Sequence, residues 1–216
     1  GLSVLGARGG FYLRPLRSVD ATRFVDPVLV PLTLNTPFQI ISTVESPAVR
    51  SFNWMNKKEA LYWINPIKKY NTVKEQKKNV VILILESFGR EYVGFYNHGK
   101  GYTPFLDSLS QHSLVFTRAY ANGKTSMDGI PAILSSIPFI DEVSFITSPY
   151  QTNTITSIGK ELRKNGYATA FYHGGQNGTM GFNSFIRLAG FEHYYGLDEY
   201  PMVEDYDGFW GIPDLK

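Results

Sequence analysis

The sequence predicts an α/β domain: a mostly parallel sheet flanked by helices, with an N-terminal helical arm in front of it. Three observations carry the prediction. "VVILIL" (80–85) is a continuous apolar, β-branched run, as expected of a strand buried on both faces of a parallel sheet. From there on, strand-like and helix-like segments alternate, which calls for a parallel sheet with right-handed crossovers. Residues 1–75 break that pattern. They hold Pro15, Pro27, Pro31, Pro37, Pro47 and Pro66 and no long strand, and read as an arm that packs on a main domain running over 76–216.

In chain order, "PFQIISTVE" (37–45) and "NKKEALYWI" (56–64) read as short helices of the arm. After the strand at 80–85 comes a helix over 103–112. Thr103 is its N-cap, Pro104 its first residue, and Phe105, Leu106 and Leu109 share an apolar face. "LVFTRAY" (114–120) reads as a second strand. "DGIPAILSS" (128–136) reads as a helix, with Asp128 as a possible cap and Pro131 in its first turn. A further helix spans 154–166, where Ile155, Ile158 and Leu162 share a face and Asn165-Gly166 ends it. "YATAFYH" (167–173) is the third strand. Phe182, Phe185, Ile186 and Ala189 follow at i, i+3, i+4, i+7 on a last helix closed by Gly190. The closing stretch, 206–216, is rich in aromatics and has no evident final element, so the sheet is expected to be incomplete and the chain part of a longer protein.

Composition narrows the function classes. A formal net charge of +2 argues against a nucleic-acid partner. The charge is uneven, however: residues 57–78 carry seven Lys against two Glu. That stretch is either a solvated face or a collar lying against anionic headgroups. The absence of cysteine excludes disulfides, thiolate metal sites and a Cys nucleophile. The longest strongly apolar run is far short of the ~20 residues of a spanning helix, and "GLSVLGARGG" lacks the charged leader of a signal peptide. The expectation is a soluble chain that is a piece of an anchored protein.

The chemistry centres on "NGKTSMDGIP" (122–131). Gly-Lys-Thr after an apolar run is how a nucleotide-binding phosphate loop ends, but that loop needs a glycine five positions before Gly123, and Arg118 stands there. The other reading makes Thr125 a nucleophile at a helix N-terminus, where backbone N–H groups and the helix dipole favour an anion. A threonine hydroxyl needs a base or a metal to attack. Glu86, directly after the first strand, offers a metal ligand at the end of the sheet where α/β folds bind ligands. Taken singly, Thr125 also reads as a helix cap and Glu86 as the solvent-facing end of a strand.

"NVVILILESFGREYVGFY" (79–96), "YTPFLDSL" (102–109) and "NGKTSMDGIPAILSSIP" (122–138), in that order, resemble the sulfatase and alkaline-phosphatase superfamily. They resemble most its lipoteichoic acid synthase branch, the phosphoglycerol transferases. The hydrolytic sulfatases' C/S-x-P-x-R motif is not present. The resemblance implies the corresponding sulfatase-like sheet, with Glu86 as a ligand of a divalent metal and Thr125 as both ligand and nucleophile. Manganese is the metal it implies first. A mostly oxygen donor set suits manganese and also admits zinc or magnesium. "FYHGGQNGTMGFNSF" (171–185) matches the segment whose histidine contacts the head group, which puts His173 in that role, and Lys124 adds charge beside the nucleophile. The sequence departs from the branch where Gly175 replaces an Asp, and where Phe182 and Ser184 stand nearest to a Trp and an Arg. The branch's remaining ligands, an Asp-His pair, match none of His98, His112, His173 or His193, and are expected beyond Lys216.

The implied function is a membrane-anchored, metal-dependent phosphotransferase with this domain on the extracytoplasmic side of the cell membrane. It would move a phosphoglycerol-type head group from an anionic phospholipid donor to a glycan or glycolipid acceptor through a phosphothreonine intermediate. The rivals are a sulfatase or phosphodiesterase of the same superfamily, and a non-catalytic extracytoplasmic domain that binds an anionic lipid or glycan.

Overall fold

The computed structural model describes residues 17–25, 29–44, 53–64, 67, 69, 76–139, 143–209 and 211–213. Its α-helices of seven residues or more are α1 (Thr36–Thr43), α2 (Lys57–Trp63), α3 (Pro104–Ser110), α4 (Ser126–Ser135), α5 (Ile158–Lys164) and α6 (Phe182–Leu188). Its strands are β1 (Ala170–Tyr172) and β2 (His193–Tyr195). They pair in parallel, Phe171 opposite Tyr194, with α6 in the connection between them. The chain divides into two units, one made of 1–49 with 121–216 and the other of 50–120.

The first unit holds the core. Ile130 and Leu134 of α4, Ile146, and Phe182, Phe185, Ile186 and Ala189 of α6 and its cap are buried together, as the i, i+3, i+4, i+7 spacing predicts. Each strand turns its middle residue inward: Phe171 and Tyr194 stack at 5.8 Å between centroids and pack on this core. Ser157 caps α5 by accepting from the Lys160 N–H at 3.1 Å, and its hydroxyl donates to the Ala189 carbonyl after α6. Gly159 lets the two segments close up, since a Cβ there would stand 2.6 Å from the Phe191 ring.

A 3-10 turn, Ser18–Arg23, seats part of the predicted arm on α6. Val19 is buried, and Asp20 accepts from the buried Ser184 hydroxyl at 3.0 Å and from the Arg17 N–H at 2.8 Å. Thr22 Oγ1 lies 3.2 Å from the Ser184 carbonyl, which accepts its hydrogen bond.

Helix α4 begins at Ser126, two residues before the predicted start, with Thr125 as N-cap and Asp128 inside the first turn. Pro131 therefore sits in the second turn, where its missing N–H orphans the Met127 carbonyl. Ser144 Oγ supplies the missing donor at 2.8 Å. Ser136 ends the helix in a left-handed conformation, φ 52°.

In the second unit, Asn56 caps α2 by accepting from Glu59 N–H at 3.0 Å. Thr103 precedes α3, and its hydroxyl donates to Asp107 Oδ1 at 2.9 Å while accepting from the Gly94 N–H. The expected strands at 80–85 and 114–120 carry no strand pairing. Val81 and Leu83 are 82% and 80% exposed. A parallel strand needs a hydrogen-bonding neighbour and a cover on each face, and among the described residues of this unit there is no second strand to supply them.

Candidate functional site

Thr125 sits where a loop enters α4, with an extended backbone (φ −125°, ψ 162°). Its carbonyl already accepts from the Asp128 and Gly129 N–H groups, at 3.0 and 2.9 Å. Its hydroxyl makes no capping bond; it donates to Asp128 Oδ2 at 2.8 Å. Asp128 is buried, whereas Thr125 and Lys124 are exposed. The result is a hydroxyl on an exposed residue that donates its hydrogen bond to a buried carboxylate at the positive end of a ten-residue helix. Gly123 permits the arrangement. A Cβ there would stand 2.5 Å from Asp128 Cβ and 2.8 Å from Gly129 N, so the loop can cross the first helical turn only as glycine.

Asp128 was legible in the sequence only as a possible cap. The signal for more is its position three residues after the nucleophile candidate: at a helix start that spacing brings the two side chains together.

Glu86 is exposed and lies in the other unit, followed by Ser87 in a left-handed conformation (φ 52°). Ser87 Oγ donates to Glu86 Oε1 at 3.4 Å. A non-glycine residue held there is uncommon, and such strain gathers at functional sites. Glu86 in its unit, and Thr125 with Asp128 in theirs, are each hard oxygen donors of the kind that suits a divalent cation such as manganese or magnesium. Among the described residues no group of three His, Cys, Asp or Glu side chains forms a metal-holding cluster. Nor is any helix among them long and apolar enough to cross a membrane.

His173 directly follows β1, at the carboxyl end of the two-stranded sheet, and is built on the same core as α4. Its N–H donates to the Tyr195 carbonyl at 2.9 Å. Its ring meets Phe182 edge to face at 5.2 Å, and Nδ1 lies 3.4 Å from the Tyr194 hydroxyl. Burial lowers its pKa from the usual 6.5, which favours the neutral ring. Burial, with Glu199 and Asp198 nearby, pushes the Tyr194 phenol up. The loops beyond both strands are tied together: Asn177 Nδ2 donates to both oxygens of Glu199, at 3.1 and 2.9 Å, and Leu197 N–H donates to the Gly175 carbonyl.

The Sulfatase family profile matches residues 78–214. Phosphoglycerol transferase I of Salmonella paratyphi B is 28% identical over 190 residues, covering 78% of this chain and 24% of that protein. Lipoteichoic acid synthase 2 of Bacillus subtilis is 25% identical over 146 residues, covering 65% of this chain and 22% of that protein. The lipoteichoic acid synthase LtaP from Listeria monocytogenes superimposes with a TM-score of 0.46 at 23% identity, over 53% of this chain and 28% of that one. The chain thus spans about a quarter of the length of the curated relatives it matches. The family match and the β1–α6–β2 unit agree with the expected α/β class and its incomplete sheet.

Proposed function

The chain belongs to the sulfatase family, and on that premise we propose that it is part of a metal-dependent phosphotransferase of the cell envelope, with Thr125 as its nucleophile. The single observation that carries the reading is the hydroxyl of the exposed Thr125, held on the buried Asp128 carboxylate at the start of α4, within the span that matches the family.

Thr125 Oγ1 attacks the phosphorus of an anionic phospholipid's phosphodiester. The Asp128 hydrogen bond turns the hydroxyl proton inward and leaves a lone pair toward the incoming group. The new O–P bond forms as the bond to diacylglycerol breaks. The diacylglycerol oxygen leaves as a hydroxyl, its proton made up for by the one Thr125 gives up. The head group remains as a phosphothreonine until a hydroxyl of a glycan or glycolipid takes it and frees Thr125. His173 and Lys124 hold the phosphoryl oxygens, the first as a neutral donor and the second as a mobile charge. Glu86 and Thr125 are the residues that would hold a divalent cation, manganese foremost and zinc or magnesium otherwise. When bound, the cation neutralises phosphoryl charge and lowers the pKa of the hydroxyl. The enzyme is anchored in the cell membrane, with this domain on its extracytoplasmic side. The names of the relatives support a glycerophosphate-type head group.

The test uses the native full-length protein and a phospholipid labelled in its head-group phosphate. Quenched wild-type protein carries label on Thr125, and Thr125→Ser retains part of it. Label persisting in Thr125→Ala would overturn the assignment.

A further inference from the structure

The sequence assigns His173 a role but says nothing of what orients its ring. In the parallel register Tyr194 lies opposite Phe171, two residues before His173, and its ring stacks on Phe171. From there the phenol oxygen reaches to 3.4 Å from His173 Nδ1. The Phe182 edge contact holds a second side of the imidazole. On a third side is Gly175, where a Cβ would stand 2.7 Å from Cε1. The histidine backbone is pinned by its bond to the Tyr195 carbonyl.

We propose that Tyr194 is a positioning residue that fixes His173 in the tautomer with its proton on Nε2, so that this N–H is presented to a phosphoryl oxygen. The part that concerns phosphate rests on the function proposed above. The hydrogen bond between a phenol and a neutral imidazole can run two ways. A phenol is the stronger donor, because its oxygen's lone pair is drawn into the ring, and an unprotonated imidazole nitrogen is the stronger acceptor. The direction of both pKa shifts agrees: the phenol keeps its proton and the imidazole stays uncharged. With Nδ1 occupied as acceptor, the ring proton belongs to Nε2. Phe171, Phe182 and the tyrosine ring keep the pair in half-buried surroundings, where a neutral donor costs less to desolvate than a charged one.

The test is nitrogen-15 NMR of the native protein labelled at histidine, with His173 assigned from the spectrum of His173→Ala. The wild type at neutral pH is expected to show the Nε2–H pattern at His173. Tyr194→Phe keeps the ring and its stack on Phe171, and is expected to show averaging between tautomers. It should also bind glycerol phosphate roughly twofold to tenfold more weakly, the effect of losing one neutral hydrogen bond. His173→Gln, whose side-chain amide is a donor without tautomers, should make affinity insensitive to Tyr194→Phe. An Nδ1–H pattern in the wild type overturns the proposal, as does a tautomer ratio unchanged by Tyr194→Phe. If the tautomer shifts while glycerol phosphate binds equally to wild type and His173→Ala, the positioning stands and the phosphate-binding role assigned to His173 falls.

Discussion

Replacing Asp128 with Ala tests the anchoring of the nucleophile candidate directly. The substitution removes the acceptor of the 2.8 Å bond from Thr125 but keeps the Cβ against which Gly123 packs, so the loop retains its seat. A hydrogen bond to a charged group contributes about 1.5–3 kcal/mol. A carboxylate in the first turn of a helix adds about 0.3–1 kcal/mol through the dipole. Thr125 is exposed, so solvent screening brings the sum to the lower end. The expected loss is about 2 kcal/mol, roughly a thirtyfold change in the folding equilibrium. Asp128→Asn keeps an acceptor oxygen and should cost less than about 1 kcal/mol. Urea denaturation of the native protein and both variants, with unchanged m-values, measures the difference. The two variants separate stability from chemistry, because the uncharged Asn still orients the hydroxyl and should preserve most of the phosphothreonine signal that Ala loses. Equal, near-zero destabilisation by Ala and Asn would refute the claim that the carboxylate holds Thr125.

Gly123→Ala places a methyl group 2.5 Å from Asp128 Cβ and 2.8 Å from Gly129 N, so backbone must move. A loss of about 1–3 kcal/mol in thermal or urea melts is expected, and a neutral result would show that the loop yields freely. Ser184→Ala removes the buried donor to Asp20 Oδ1. It should cost about 1–3 kcal/mol and expose the 17–25 segment to protease before the rest of the first unit is cut. For His173, the folded pKa lies below the unfolded 6.5, so the unfolded chain binds the extra proton. The stability it contributes is fully present above pH 6.5 and is lost as pH falls from there toward the lowered folded value. His173→Gln should flatten that part of the stability–pH curve, and an unchanged slope would refute the assignment.

The helices were legible because their signals are local. Asn56 and Ser157 cap from within the chain segment they begin, and Gly166 and Gly190 end their segments with positive φ of 80° and 76°. The i, i+3, i+4, i+7 spacing at Phe182, Phe185, Ile186 and Ala189 named four residues of the core correctly. The start of α4 was misplaced because Pro131 suggested a first turn, whereas the cost of a proline in the second turn is met by Ser144, seventeen residues from the carbonyl it serves. Strands obey a different logic. Hydrophobicity at 80–85 states what the segment needs on either side of it, and pairing is realised only where another strand stands in register, as β2 does for β1.

The same division runs through the site. Residue type and setting pointed to Thr125 because a nucleophile at a helix start draws on the helix's own backbone. Asp128 lies within that turn and could have been read from its spacing. Tyr194 could not, since its contact with His173 joins residues 21 apart through the pairing of two short strands. That pairing decides which side chain meets the histidine. In a parallel sheet, a slip of one residue sends every side chain of a strand to the opposite face. With β2 shifted by one, Tyr194 would turn from Phe171 to the exposed face, and His193 or Tyr195 would replace it on the core side. The orientation of the imidazole is thus a consequence of strand register. A variant that loosens β2 without touching either ring should disturb the His173 tautomer as Tyr194→Phe does.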